Sequence, residues 1–238
     1  TTENIVKPLL EENSHRNCGS DFGLCMNPEF LREGSAVYDA QHPDRIVIGE
    51  YDQKSGDTLE SLYAELHFEE SIPIVKTNLP TAELIKYANN SFLATKISYI
   101  NTIANICEKI PGADVSVVSQ GIGLDQRINP LFLKAGLGYG GSCFPKDVTA
   151  LVDFSTKHGY VPKLLRATHN VNEEQASHAV EKAKSHLKEL KGKKIAILGL
   201  AFKPDTDDMR EAPSLIIINE LLKEGVKIKA YDSIAMKE

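Results

Sequence analysis

The sequence predicts an α/β protein, with strand-and-helix segments at both ends and a helical middle built on one long helix. Three observations predict it. Short apolar runs alternate with helical patterns through residues 1–80. Apolar residues then recur at gaps of three and four from Leu84 to Ile110. A strand–helix–strand pattern returns after residue 190. The chain has 238 residues, 42% of them hydrophobic, enough to bury a core in one large or two modest domains. Charged residues make up 25%, an ordinary globular share that argues against disorder.

In chain order, Ile46-Val47-Ile48-Gly49 is a short buried strand. Ile72-Pro73-Ile74-Val75 is another, and its proline assigns it to an edge or to a first strand position. Lys54 to Leu66 forms a helix between them. Leu84, Ile85, Ala88, Phe92, Leu93, Ile97, Ile100, Ile103 and Ala104 then make one apolar face, which Pro80 and Thr81 open and Pro111-Gly112 close. At about 1.5 Å per residue this helix spans roughly 45 Å. That length suits a scaffold that joins two domains and pairs with a second subunit. More helices follow through 113–190, broken by loops at Gly121–Gly123 and at the glycine-rich Gly136–Gly141, with a charged helix over Glu173–Leu190. Ile195-Ala196-Ile197-Leu198-Gly199 is a continuous apolar run of the buried parallel type. Pro213 opens a helix through Leu222, Gly225 ends it, and Val226–Tyr231 is a second strand, completing a βαβ unit.

The net charge of −6 argues against a nucleic-acid surface. No apolar run approaches the ~18 residues of a membrane span. Thr1-Thr2-Glu3-Asn4 has neither a basic nor an apolar leader, and a cytoplasmic protein is expected. Cys18, Cys25, Cys107 and Cys143 form no C-x-x-C pair, so no metal site is expected and reduced thiols are.

Four constellations could carry chemistry. In Gly136-Leu-Gly138-Tyr139-Gly140-Gly141-Ser142-Cys143-Phe144-Pro145-Lys146-Asp147 the glycines fit G-x-G-x-x-G, but no strand precedes them. The loop instead suits close backbone approach to a ligand. Pro145 opens a helix, so Cys143 stands just ahead of a helix N-terminus beside Lys146, and both features favour a reactive thiolate. The plainer alternative makes Cys143 a small core residue and Asp147 a cap. In Asn27-Pro28-Glu29-Phe30-Leu31-Arg32-Glu33-Gly34, Asn27 reads as an N-cap and Pro28 as a first helical residue. Glu29 and Glu33 would then share one helix face, as a working acid pair or as a solvated surface. Lys86 and Asn90, four apart on the long helix, could form a donor pair for an oxyanion or simply an exposed face. Finally, the polar loop from Leu198 to Glu211 leaves the C-terminal end of a strand, where open α/β sheets bind ligands. There Lys203 and Arg210 suit an anion, and Asp232 ends the next strand, where a ribose-binding acid often sits.

Together these segments resemble the UDP-glucose/GDP-mannose dehydrogenase family. The matching stretches are NPEFLREG at 27–34, PDRIVIG at 43–49, ELIKYANNSFLATKIS at 83–98, GYGGSCFPKD at 138–147 and GLAFKPDTDDMRE at 199–211. The resemblance covers the whole chain in the family's order. It implies that residues 1–80 are the later part of an N-terminal NAD-binding Rossmann domain and that 81–190 form a helical dimerisation region carrying the catalytic cysteine. Residues 191–238 would begin a Rossmann-like domain for the nucleotide sugar. The family's glycine-rich NAD fingerprint and a further C-terminal arginine are not in this sequence, so the chain by itself is expected to be inactive.

The resemblance also implies roles. Cys143 is the covalent nucleophile, Lys86 and Asn90 stabilise oxyanions, and Asp147 takes a proton or holds a water, with Lys86 as rival. Glu29 assists thioester hydrolysis and touches the cofactor. Glu33, Arg127, Phe132, Leu133, Lys134, Tyr139, Gly140, Phe202 and Lys203 meet the substrate, Arg127 that of a neighbouring subunit. Lys146 and Arg210 lie near NAD. The loop chemistry around Ser142, Phe144 and Lys146 is nearest the family's UDP-glucose branch. GDP-mannose, UDP-N-acetylmannosamine or a non-catalytic dimerisation and nucleotide-binding module are the alternatives.

Overall fold

The computed structural model describes residues 1–66 and 72–237. They form two compact units, Thr1–Asn89 and Asn90–Glu238.

The first unit is organised on a three-stranded sheet, β1 (Cys25–Met26), β2 (Ile46–Glu50) and β3 (Ile74–Asn78), in that order. β1 runs antiparallel to β2, while β2 and β3 are parallel with Ile46 opposite Ile74. A parallel pair needs a crossover, and helix α3 (Gln53–Leu66) lies on it. Ile46, Val47, Ile48 and Gly49 of the central strand are all buried, as a continuous apolar run implies for a strand covered on both faces. Pro73 sits just outside the ladder, where its carbonyl accepts from Ile46 N at 2.9 Å. Gly49 is a close-approach glycine: an added Cβ would stand 2.5 Å from Ala82 Cβ. Ahead of the sheet lie helix α1 (Lys7–Ser14) and, between β1 and β2, helix α2 (Ala36–Gln41).

Helix α4 (Leu79–Cys107) is the long helix, beginning and ending two or three residues earlier than its periodicity suggests. Asn78 Oδ1 accepts from Thr81 N at 2.9 Å and steadies its first turn. Its 29 residues correspond to about 43 Å.

In the second unit α4 continues into helices α5 (Val115–Gly123), α6 (Phe144–Lys157) and α7 (Lys163–Leu187). Gly121–Gly123, expected as a loop, is the last turn of α5. Asp114 caps that helix by accepting from Ser116 N at 2.7 Å, and the loop starts beyond it. β4 (Lys194–Leu198), α8 (Pro213–Lys223) and β5 (Lys227–Tyr231) form the expected βαβ unit with parallel strands. Pro213 opens α8 and Gly225 follows its end at φ 76°. Ala176 and Val180 of α7 pack with Ile217 and Leu221 of α8, and Ile195, Ile197 and Ile228 of the strands lie against them.

One strand expectation is corrected. β4 alternates between part-buried and exposed, with Leu198 80% exposed. Its apolar run suggested burial on both faces. Among the described residues the helices cover only the face that carries Ile195 and Ile197.

Candidate active site

The acidic segment of the first unit is not helical. Residues 27–32 have no regular secondary structure and 33–35 form a turn, so Glu29 and Glu33 do not share a helix face. The reason lies in Asn27. Its side chain, expected to cap a helix, donates to Val47 O at 2.8 Å and accepts from Tyr63 OH at 2.5 Å. It thereby ties the segment to β2 and α3. Asp39 closes the following turn, accepting from Arg32 N at 2.7 Å and from the Arg32 guanidinium at 2.5 Å. That guanidinium holds the Asp39 carboxyl well below the usual carboxylate range.

This geometry presents Glu29 to Lys86. The Lys86 amine donates to Glu29 Oε1 at 2.8 Å and to the Glu29 carbonyl at 2.7 Å, while Glu29 Oε2 accepts from Leu31 N at 2.7 Å. The Phe30 ring lies under two cations: the Arg45 guanidinium is 3.8 Å from its centroid and the Lys86 amine 5.6 Å. Glu33 is exposed in the turn.

In the second unit Cys143 occupies the N-cap position of α6, with Phe144 and Pro145 in the first turn. It is the exposed one of the four cysteines. Cys18 and Cys25 are half-buried, and burial pushes both thiols up, which leaves less thiolate to react. The Ser142 hydroxyl lies 3.7 Å from Cys143 Sγ. One turn on, Asp147 is 2% exposed. A carboxylate so buried has to be paired. Asn90 Nδ2 donates to its Oδ2 at 2.6 Å and the Lys146 amine to its Oδ1 at 2.5 Å. Ala94, Tyr139 and Val148 form a small core here, with Ile97 and Phe144 against it.

The expected substrate contacts between residues 127 and 139 fall into two groups. Arg127, Phe132 and Lys134 are exposed. The Arg127 guanidinium is held by Asp125 at 2.7 and 3.0 Å. Leu133 and Tyr139 are buried. The Leu133 carbonyl accepts from Ser119 Oγ at 2.6 Å. The Tyr139 ring meets Phe144 edge-on at 5.9 Å, and burial pushes its hydroxyl up to about 12.

Three residues that the sequence reading did not single out hold the glycine loop. Asn101 Oδ1 accepts from Gly136 N at 2.8 Å, and Gln175 Nε2 donates to Gly136 O at 3.0 Å. Asn172 accepts from Tyr139 N at 2.7 Å and donates to Tyr139 O at 3.0 Å. The available signal was amides recurring at helical spacing, Asn101 among the apolar positions of α4.

The far end of the loop packs on the 199–211 loop. Gly141 N donates to Arg210 O at 2.8 Å. A Cβ at Gly140 would stand 2.2 Å from Glu211 O, and one at Gly141, where φ is 77°, would be 2.7 Å from the Phe202 ring. Only glycine permits that closeness. Asp232 does not present itself to a ribose. Its oxygens accept from the backbone N–H groups of Leu200, Ala201, Ile234 and Ala235 at 2.7–3.2 Å. These bonds hold the carboxyl well below its ordinary range. The Arg210 guanidinium is forked onto Asp208 at 2.8–3.0 Å, and the Lys203 amine lies 5.5 Å from the Phe202 ring centroid.

Lys146 and Arg210, both with largely exposed side chains, are donors that fit an anionic group such as a nucleotide phosphate. The strand–glycine turn–helix cradle that takes a dinucleotide pyrophosphate is not formed among the described residues: β2 runs into α3 through Tyr51-Asp52, β3 passes directly into α4, and β4 reaches α8 only through the long 199–212 loop. Also among the described residues, no three His, Cys, Asp or Glu side chains cluster as a metal site. No helix there is long and apolar enough to cross a membrane.

Comparison with known proteins matches three successive segments of the chain. Family models of the UDP-glucose/GDP-mannose dehydrogenases match in order: the NAD binding domain over residues 1–67, the central domain over 80–174 and the UDP binding domain over 196–238. The UDP-glucose 6-dehydrogenase TuaD of Bacillus subtilis is 52% identical over 237 residues, spanning 100% of this chain and 50% of TuaD. YwqF, a UDP-glucose 6-dehydrogenase of the same organism, is 50% identical over 235 residues, 99% of this chain and 52% of YwqF. A solved UDP-glucose dehydrogenase from the hyperthermophilic archaeon Pyrobaculum islandicum superposes with a TM-score of 0.85 at 40% identity, over 92% of this chain and 50% of that one. The chain spans about half the length of the curated relatives it matches. With three domain matches in chain order and half the residues identical to those relatives, the chain belongs to the UDP-glucose/GDP-mannose dehydrogenase family.

Proposed function

We propose that the intact protein oxidises the primary alcohol of UDP-glucose to the carboxylate of UDP-glucuronate, through a covalent intermediate on Cys143. The observation that carries this reading is the placement of Cys143: exposed, at a helix N-terminus, four residues ahead of a buried, paired Asp147. NAD, when bound, supplies the hydride acceptor for both oxidations. After the first, Cys143 Sγ adds to the aldehyde carbon and gives a thiohemiacetal. After the second the species is a thioester, which water cleaves to the acid and the free thiol. Lys86 and Asn90 stabilise the oxyanions that form. Asp147 takes the alcohol proton or holds a water, with Lys86 as the rival base. Glu29 serves as general base for hydrolysis.

In the same reading Glu33, Arg127, Phe132, Leu133, Lys134, Tyr139, Gly140, Phe202 and Lys203 shape the sugar-nucleotide site. Leu133 and Tyr139 do so from the core. Glu29, Lys146 and Arg210 attend NAD. Relatives named as UDP-glucose 6-dehydrogenases at 50–52% identity favour UDP-glucose over GDP-mannose or UDP-N-acetylmannosamine. The protein works in the cytoplasm as a homodimer through α4. Supporting the dimer, Phe92, Tyr99 and Ile106 recur every seven residues on that helix and are 48–66% exposed, a stripe suited to helix pairing.

The test is Cys143→Ala in the intact protein. The side chain makes no cap bond, so the variant should melt with the parent and form no UDP-glucuronate. Undiminished acid formation would overturn the reading.

A further inference from the structure

We propose that Asn172, acting with Asn101 and Gln175, is a positioning clamp that holds the glycine loop in the one shape that presents Cys143. The inference rests on the reading of Cys143 as nucleophile. Gly136, Gly138, Gly140 and Gly141 all fall within six residues, and a stretch this rich in glycine has too much backbone freedom to keep one shape unaided.

The structure supplies what the loop lacks. Both backbone groups of Gly136 are bonded by amide side chains, N–H to Asn101 and C=O to Gln175. Both backbone groups of Tyr139 are bonded by the single amide of Asn172. The amides come from two long helices, α4 and α7. Asn101 is 0% and Gln175 8% exposed, and Gln175 is itself oriented by Asn105 Nδ2 at 3.2 Å. Gly138 makes the arrangement possible: its φ is 102°, and a Cβ there would lie 2.8 Å from Asn172 Oδ1. Tyr139 is four residues from Cys143, and its ring packs edge-on against Phe144, the first residue of α6. Fixing Tyr139 therefore fixes where α6 begins and where the thiol stands. None of the three amides needs to touch substrate to act.

The experiment compares Asn172→Ala, Asn172→Asp and Gly138→Ala in the intact protein. Two readouts are used: steady-state kinetics with UDP-glucose and NAD, and hydrogen exchange across residues 136–143. Asn172→Ala should lower kcat at least about tenfold, since displacements near 1 Å can cost about 10²-fold, with KM for NAD within twofold. It should speed exchange in the loop but not around Val180 of the α7–α8 core. Asn172→Asp keeps the acceptor for Tyr139 N–H but turns a carboxylate oxygen toward Tyr139 O in place of the donor, so it should lose at least as much kcat as the alanine variant despite its matching shape. A role in side-chain packing alone would leave this near-isosteric variant close to the parent. If Asn172→Ala does not fold, Gly138→Ala opens the same clamp from the loop side and should give the same losses. Loop exchange and kcat within twofold of the parent, in whichever of the two variants folds, would overturn the clamp. A parent that turns over no nucleotide sugar would refute the proposed function instead, and exchange would still decide whether the clamp holds the loop.

Discussion

Replacing Gly140 with alanine should cost the protein more in turnover than in stability. The added Cβ would stand 2.2 Å from Glu211 O, 2.9 Å from its carbonyl carbon and 3.1 Å from Phe202 Cβ, where real Cβ atoms essentially never come within 3.0 Å. The glycine loop and the 199–211 loop must therefore part by roughly 0.8 Å. Backbone, not a flexible side-chain end, is the obstacle, so the strain cannot be relieved by a rotamer change. Overpacking of this kind costs about 1–3 kcal/mol. A protein of this size loses roughly 2–4 °C in melting temperature for each kcal/mol. The same displacement, carried along three residues to Cys143, is of the size that costs about 10–10² in rate. The assay pairs NADH formation by the intact protein with its melting temperature. Gly121→Ala is the control: its Cβ would meet nothing within 4 Å, and it sits in α5, where alanine favours the helix by up to about 1 kcal/mol. Gly140→Ala with turnover within twofold of the parent and an unchanged melting temperature would show that the two loops are not tightly apposed, and the account of their packing would fail.

Two further perturbations follow from the same region. The Tyr139 hydroxyl is buried without a hydrogen-bond partner among the described residues, so Tyr139→Phe should melt at or above the parent temperature. Because burial raises this phenol to about 12, the parent should lose stability relative to Tyr139→Phe as pH rises from about 10, the ordinary tyrosine value. A clear drop in melting temperature at neutral pH would mean the hydroxyl has a partner. Asp232→Asn addresses the opposite sign. The native carboxyl is depressed by the N–H groups of Leu200, Ala235, Ile234 and Ala201. Its contribution is therefore fully present above the ordinary carboxylate value of about 4 and lost as pH falls below it. Urea denaturation should show the variant weaker than the parent at neutral pH, with the gap closing at about pH 3 and below. A gap independent of pH would contradict this.

Much of the architecture could be read from local pattern. The spacing of three and four through α4, Pro145 opening α6 behind Cys143, and the βαβ unit bracketed by Pro213 and Gly225 all depend on neighbours in sequence. The misreadings have non-local causes. Asn27 followed by proline looks like a helix start, but its amide is taken by Val47, 20 residues away, and by Tyr63, 36 away. The apolar run of β4 implied cover on both faces, whereas cover depends on where helices lie and not on the strand's own residues. Asp232 looked ligand-facing at a strand end, yet the N–H groups of Leu200 and Ala201, from the loop after β4, join those of its neighbours Ile234 and Ala235 in occupying its oxygens. The clamp on Gly136 and Tyr139 joins residues 33–39 apart in sequence, which no short-range pattern reveals.

In the proposed mechanism Cys143 carries one substrate through two oxidations. The most direct test is the amount of NADH formed per UDP-glucose consumed by the intact protein in excess NAD. Two per sugar are expected, with UDP-glucuronate as the product. One per sugar, with the reaction halting at the aldehyde, would contradict that mechanism and remove the thioester roles assigned to Cys143 and Glu29.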